Sequence, residues 1–239
     1  MGAGVGRRIE GGRRVTSSSQ RRGPSGRSAP RAGIIPAVWN LTPRLAGQLV
    51  ILEPLAPAHF DGLLAASRPQ ETWAWWSVDM STPEAFREWF DAALSAGEDG
   101  TRAHFATLAA HDATPIGSTS FMTLRPEHAG LEIGWTWLTP AAWGTGANAE
   151  AKLLMLRHAF EVLGCQRVEF ATNEHNARSR RALEALPARF EGVKRDDRIL
   201  HDGRRRSSAY YSILDTEWPG VAVDLAARVA AASSARAPG

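Results

Sequence analysis

Glu132 stands in an otherwise aromatic and branched run, residues 131–138, and Gly144 and Gly146 follow shortly after it. A carboxylate among apolar neighbours is desolvated. That raises its pKa and suits it to accept a proton near neutral pH; the other reading is a structural carboxylate bonded to neighbouring backbone. Glycines free the backbone for positive φ. At the start of a helix, such a loop presents unpaired N–H groups and the positive end of the helix dipole, which together bind anions. The run ends at Thr139-Pro140, and a helix is expected over residues 148–163. The pattern is a strand, a phosphate-holding loop and a helix. A nucleoside triphosphate cradle would want a Lys-Ser/Thr pair after the glycines, but Ala147-Asn148 stands there.

Other residues able to do chemistry flank this stretch. Asn176 and Ser179 are three apart at one expected helix start, where Asn176 can act as the cap. Tyr210 and Tyr211 sit on the last expected strand; alternation points them to opposite faces, so at most one can serve as an acid. Trp73, Trp75 and Trp76 could form an aromatic wall for a cationic amine or a peptide N-terminus, or simply a corner of the core. The same alternation places Glu132, Gly134 and Thr136 on the face opposite Ile133 and Trp135. His158 falls on the apolar stripe of Ala151, Leu154, Met155, Ala159 and Val162 and reads as a core histidine. Arg204, Arg205 and Arg206, with Lys194 and Arg195, could meet phosphates or an acidic partner, or form the solvated face of a hairpin. No spacing of His, Cys, Asp or Glu suggests a metal site.

The elements that must position these residues are legible in order. Residues 48–53 read as a first strand. Pro57 opens a short helix with Phe60, Leu63 and Leu64 on its apolar face. Thr82-Pro83-Glu84 is a helix start, followed by the stripe Phe86, Trp89, Phe90, Ala93 and Leu94. Strands are expected at 104–109, 116–124 and 131–138 as an antiparallel meander. After the central helix comes a strand at 167–172, so the strand–helix–strand path implies a parallel crossover. A helix from Asn176 to about Leu186 follows. A hairpin of strands 190–199 and 204–214 turns around His201-Asp202-Gly203. The fold class is α+β, one mixed, mostly antiparallel twisted sheet of about seven strands flanked by helices.

Composition narrows the setting. Of 239 residues, 44% are hydrophobic and 22% charged, so a full core can form. The net charge of +3 is uneven: residues 1–33 hold eight arginines against Glu10, giving +7 there and −4 elsewhere. The sequence pI of 9.6 thus describes the arm more than the body. The single cysteine, Cys165, excludes an internal disulfide and reads as a buried thiol, fitting a reducing cytoplasm. No apolar run reaches membrane-spanning length. The expected organisation is an Arg/Gly/Ser-rich disordered extension over 1–35, a body over 36–219 closed by Pro219, and a short terminal helix with a frayed tail over 220–239.

Four pieces in order carry a family resemblance: Leu131-Glu132-Ile133-Gly134-Trp135; Trp143 through Ala151; Asn176-Ala177-Arg178-Ser179; and Phe190-Glu191-Gly192. Over about residues 45–215 the chain resembles the GNAT superfamily of acetyl-coenzyme A-dependent N-acetyltransferases, and within it the RimJ/RimL-like branch. The resemblance implies acetyl-CoA as co-substrate, no metal, and acetyl transfer to a primary amine by direct transfer in a ternary complex. It implies that the backbone of Trp143, Gly144, Thr145, Gly146, Ala147 and Asn148 cradles the coenzyme pyrophosphate. It also implies that Trp135, Thr136, Trp137 and Leu138 lie on a strand splayed from its neighbour to pair with the pantetheine arm, which Asn176 also reaches. Glu132 would be the base, Ser179 or Tyr210 the acid that protonates the thiolate, and Trp73, Trp75 and Trp76 the acceptor wall.

Two departures stand out. Ala141 replaces the usual Arg or Gln before the loop. Pro187 stands where the family has glycine after leucine, a left-handed position that proline cannot adopt. The expected partners are acetyl-CoA, an amine acceptor and, as an open possibility, a second copy of the chain, with no membrane. Nucleic acid is expected only through the N-terminal arm. The rival expectations are a non-catalytic acyl-CoA-binding module and a ribosome- or RNA-associated protein using that arm. The acceptor is open among a protein N-terminus, an aminoglycoside-like amine and a small metabolite.

Overall fold

A computed structural model describes Met1 and residues 39–235. The expected arm over 1–35 lies outside the described residues, Met1 apart, as does the tail beyond Ala235. Eight strands form one sheet: β1 (Leu45–Ala46), β2 (Val50–Pro54), β3 (Ala103–Ala109), β4 (Pro115–Arg125), β5 (Gly130–Leu138), β6 (Arg167–Asn173), β7 (Arg189–Ile199) and β8 (Arg205–Leu214). Their order is β1-β2-β3-β4-β5-β6-β8-β7. The two-residue β1 is the addition to the seven expected. Only β5 and β6 run parallel; every other pair is antiparallel.

Two apolar layers cover the sheet. On one face α1 (Phe60–Ser67) and α2 (Pro83–Glu98) bury Leu63, Phe86, Trp89 and Phe90 with Trp73, Ala106 and Trp137. Thr82 caps α2 by accepting the Ala85 N–H at 3.3 Å. On the other face α3 (Ala147–Arg157), a π-type turn (His158–Val162) and α5 (Trp218–Ser234) bury Met155, Leu156, Ala159, Val221, Leu225 and Val229 against Ile133, Val168 and Tyr211. The terminal helix therefore begins at Trp218 and enters the core; Pro219 lies in its first turn instead of closing the body. The central helix is straight α only to Arg157, because the π-type turn widens its last stretch. Buried His158 binds the Asn40 carbonyl through Nε2 at 2.7 Å.

Two irregularities shape the middle of the sheet. The first is the pairing of β5 with β6, which holds only from Gly130 to Glu132. Beyond that vertex β5 stays on β4 and β6 stays on β8, so their facing edges diverge into a fork. Glu169 of β6 clasps the vertex, pairing with Arg125 of β4 at 2.7 Å and with Arg167 at 2.7 Å.

The second is a β-bulge. Ser118 faces Trp137 and Ser120 faces Gly134, so β5 carries one extra residue, and Trp135 takes φ +49°. Because side chains alternate, one extra residue reverses the faces beyond it. This corrects the simple alternation expected. Thr136 lies on the α3 face with Ile133, whereas Trp135 and Trp137 pack on the α2 face, the side that Glu132 also takes opposite Leu131 and Ile133. Gly117 lets β4 close on this irregular stretch, since a Cβ there would lie 2.1 Å from the Trp137 carbonyl.

The helix α4 (Ala177–Glu184) starts as expected, with Asn176 Oδ1 accepting the Ser179 N–H at 3.1 Å. It ends with the Ala188 N–H donating to the Leu183 carbonyl at 3.2 Å. That places Pro187 in the left-handed slot at φ +25°. The departure from glycine thus leaves the turn in place and strains it, because the pyrrolidine ring favours φ near about −65°.

Candidate active site

The fork opens into a cavity of about 510 Å³ that runs through the sheet from the α3 start to the α2 face. Loop, fork and Glu132 all line it. At one end Gly144 and Gly146 take φ of +73° and +88°. Gly146 also permits close packing, since a Cβ would meet Ala232 of α5 at 2.6 Å. Trp143, Gly144, Gly146 and Asn148 face the cavity. Thr145 and Ala147 do not line it. The Thr145 hydroxyl turns back to donate to the Ala142 carbonyl at 2.8 Å, which braces the loop from behind. The Trp143 indole N–H donates to the Leu138 carbonyl at 2.9 Å, tying loop to strand.

Two cations stand at this end that sequence reading missed. Arg178 lies 3.3 Å from the Trp143 ring centroid, and both Arg178 and Arg228 of α5 line the cavity. Their neighbourhood to the loop is tertiary. Only the closeness of Arg178 to Asn176 gave any hint. Buried Glu150 was also missed. It accepts backbone N–H groups of Gln48, Leu49 and Val50 at 2.6–2.8 Å, so it anchors the start of β2 to α3.

The middle of the cavity is the fork. One wall is β5 from Trp135 to Leu138, the other β6 from Phe170 to Asn173. Each strand is hydrogen-bonded on its outer side, so each offers an edge of N–H and C=O groups to whatever enters. Asn176 and Ser179 line the same space. Lys152, another residue missed in the sequence, reaches in from α3 and is 4% exposed. Its Nζ lies 2.6 Å from Thr136 Oγ1 and 3.5 Å from Thr119 Oγ1. Burial alone lowers this ammonium to about 7. A lysine in the buried stripe between Ala151 and Met155, one turn after Asn148, was the available signal.

The far end lies on the α2 face. Glu132 is 9% exposed, and burial raises its pKa, partly opposed by the Thr123 hydroxyl donating at 3.0 Å and by Arg198. Trp75 and Trp76 line this end, but Trp73 does not. It is fully buried, its indole N–H donates to the Ser67 carbonyl at 2.8 Å, and it packs edge-on against Trp76 and tilted against Trp137. Trp73 backs the wall because only its neighbours turn outward.

Arg198 and Arg206 line the same end. Arg102 sits 5.7 Å from the Trp135 ring centroid, and burial lowers its pKa against the pull of Glu132. Arg206 has its Nε buried without a partner. Arg204 and Arg205 are instead exposed and paired with Asp202 and Asp196. Tyr210 lies on the Glu132 side of the sheet but outside the residues lining the cavity. Burial and the nearby Asp197 and Glu132 raise its pKa. Tyr211 is sealed in the opposite core, held between Arg180 and Glu184. Among the described residues no group of three or more metal-ligating side chains occurs.

Comparison with known proteins agrees with this geometry. The Acetyltransferase (GNAT) domain family matches residues 50–189, more than half of the chain. A solved structure of a provisionally assigned acetyltransferase from T. thermophilus is 44% identical, covering 80% of this chain and 99% of that one, with a TM-score of 0.71. A GCN5-related N-acetyltransferase from Brucella melitensis is 31% identical, covering 80% and 90%, with a TM-score of 0.72. YdaF of Bacillus subtilis (strain 168), provisionally named a ribosomal N-acetyltransferase, is 30% identical over 110 residues. That match spans 46% of this chain and 59% of the length of YdaF.

Proposed function

The chain belongs to the GNAT family of N-acetyltransferases, and from that premise we propose that it moves the acetyl group of acetyl-CoA directly onto a primary amine in a ternary complex. The observation that carries this reading is the continuity of one cavity. A phosphate-type loop, two free strand edges and a buried carboxylate follow one another along it. A donor that ends in a diphosphate, continues through amides and finishes in a reactive acyl group matches that order. The diphosphate would sit at the α3 start, against loop N–H groups and the helix dipole, with Arg178 and Arg228 beside it. The amides of the pantetheine arm would satisfy the unpaired β5 edge. Asn176 uses Oδ1 for its own helix, so its amide N–H groups remain to help.

Glu132 then takes the proton from the acceptor ammonium, directly or through water, so that a neutral amine attacks the thioester carbonyl. Its raised pKa makes it a more effective base near neutrality than an exposed glutamate. Backbone N–H groups of β5 around Trp135 orient the carbonyl. Among hydroxyls, Ser179 is better placed than Tyr210 to meet the leaving sulfur, since it lines the cavity. Trp75 and Trp76 wall the acceptor end. The guanidinium groups of Arg102, Arg198 and Arg206 around Glu132 favour an acceptor with an anionic group near its amine.

The test is thiol release from acetyl-CoA against a panel of amines. Peptides with free N-termini, acidic and neutral at the second position, and amines with and without a carboxylate belong in it. Amine-dependent thiol release is the expected outcome. Coenzyme binding without thiol release for any amine would leave a binding module instead.

A further inference from the structure

Lys152 is a buried cation without a counter-ion, and its surroundings explain no structural need for a charge. No carboxylate lies within 4 Å of it among the described residues. Around Nζ stand Thr119 from β4, Thr136 from β5, Phe170 from β6 and, bonded to Thr119, Met155 of its own helix. None of these ionises. The two threonine hydroxyls also contact each other at 2.8 Å. An ammonium has three N–H donors, and two hydroxyls can accept two of them.

The position within the fork is specific. The last β5–β6 pair is Glu132 with Glu169. Phe170 is the first residue of β6 beyond that vertex, and Thr136 is on the diverging part of β5. Lys152 Nζ bonds Thr136 at 2.6 Å and lies 5.9 Å from the Phe170 ring centroid. It therefore bridges the opening of the fork from the α3 side, while Glu132 closes it from the α2 side. Both groups line the cavity into which the fork opens.

We propose that Lys152 donates the proton that the leaving thiolate needs, an inference that rests on the acetyl-transfer reading. The amine nitrogen, its proton held by Glu132, bonds to the carbonyl carbon. The C–S bond breaks, its electron pair leaves on sulfur, and the nitrogen, cationic after its attack, loses its second proton to solvent to give the neutral amide. A Lys152 N–H proton passes to that sulfur, giving the free thiol and a neutral lysine amine. Glu132 then releases its proton to solvent and Lys152 recovers one, which resets both groups. The energetics favour this donor. Burial brings the ammonium to about 7, below the roughly 8.5 of an ordinary thiol, so transfer to the thiolate runs downhill. A serine hydroxyl holds its proton across the working pH range, and the Tyr210 phenol is pushed further up by burial.

Lys152→Met tests it, since methionine keeps the unbranched stem and removes the acid. Expected are a fall in kcat of about 10²-fold or more, a KM for acetyl-CoA within about threefold of wild type, and loss of the descending alkaline limb of kcat. Circular dichroism and Tm confirm the fold. Lys152→Arg, assayed beside it, keeps the charge but cannot give up a proton in this range, so it must fail as well. Recovery of rate by arginine would assign a purely electrostatic role and overturn the proton transfer. A folded Lys152→Met with wild-type kcat, or with its alkaline limb intact, would overturn the Lys152 role alone. A wild type that binds acetyl-CoA yet releases no thiol with any amine would overturn that role and the transferase reading together.

Discussion

The two faces of β5 bury opposite charges and treat them alike. On the α2 face stands Glu132, and on the α3 face Lys152 bonds to Thr136 of the same strand. Neither has an ion-pair partner within 4 Å among the described residues. Burial destabilises the charged form of each, so the carboxylate moves up and the ammonium moves down. One physical effect thereby moves a carboxylate and an ammonium toward each other from opposite ends of the scale. The surroundings differ. Arg102, Arg198 and the Thr123 hydroxyl hold Glu132 partly back toward ionisation, whereas no charged group steadies Lys152. The α2 face is thus tuned by charge and the α3 face by dryness.

That contrast can be broken most severely at Glu132. Glu132→Gln keeps the shape and removes the base, so kcat should fall by roughly 10²–10⁴-fold, with little change in acetyl-CoA affinity. In wild type the rate should decline as pH falls through the raised Glu132 pKa, and that ascending limb should vanish in the variant. An unchanged pH–rate profile would take Glu132 out of the role.

The α3 face should show its cost in stability. The folded pKa of Lys152 lies below the unfolded 10.5, so the unfolded chain binds more protons between about 7 and 10.5. Wild-type stability should therefore rise through that window. Lys152→Met should be more stable than wild type near pH 7 by up to ~5 kcal/mol, since lowering the ammonium from 10.5 to about 7 costs roughly 1.4 kcal/mol per unit. The gap should close as the pH approaches 10.5. Denaturant titrations at three pH values measure it. A variant less stable than wild type would mean that the ammonium is structurally needed.

Smaller effects sharpen the ends of the cavity. Gly144 holds φ +73° with no atom within 4 Å of a built Cβ. Gly144→Val therefore meets no clash but disfavours the loop conformation by ~1–2 kcal/mol. Acetyl-CoA affinity should weaken about tenfold by calorimetry, and unchanged affinity would remove the loop from the phosphate site. At the wall behind α4, Pro187→Gly should relieve a strained backbone and stabilise the fold by ~1 kcal/mol. Thermal unfolding reads this, and it should leave both pH limbs unmoved.

Most elements were legible because their signals are local. Alternation located the strands, Thr82-Pro83 and Asn176 located helix starts, and Gly144 with Gly146 located the loop. The candidate site was legible where motif residues sit beside their partners in sequence, as Asn176 and Ser179 do. It was not legible where partners meet from distant elements. Lys152 looks like one charged position in an apolar helix until Thr119, Thr136 and Phe170 surround it. Arg198 and Arg206 look like members of a basic hairpin until they line the cavity with Trp75 and Trp76. Trp73 carries the same local signal as its neighbours, yet it is the one that turns inward.

By itself the sequence determined the element order, the glycine loop and the family, since these rest on residue types at fixed spacings. Tertiary structure alone decided which side chains share the cavity. The bulge at Trp135 shows why. An extra residue in β5 appears only when the strand is paired against β4, and it exchanges every face beyond it. That exchange carries Thr136 to Lys152 and leaves Trp135 and Trp137 with Glu132. Which face a residue takes after a bulge depends on register between strands, a property of the pair that neither strand encodes alone.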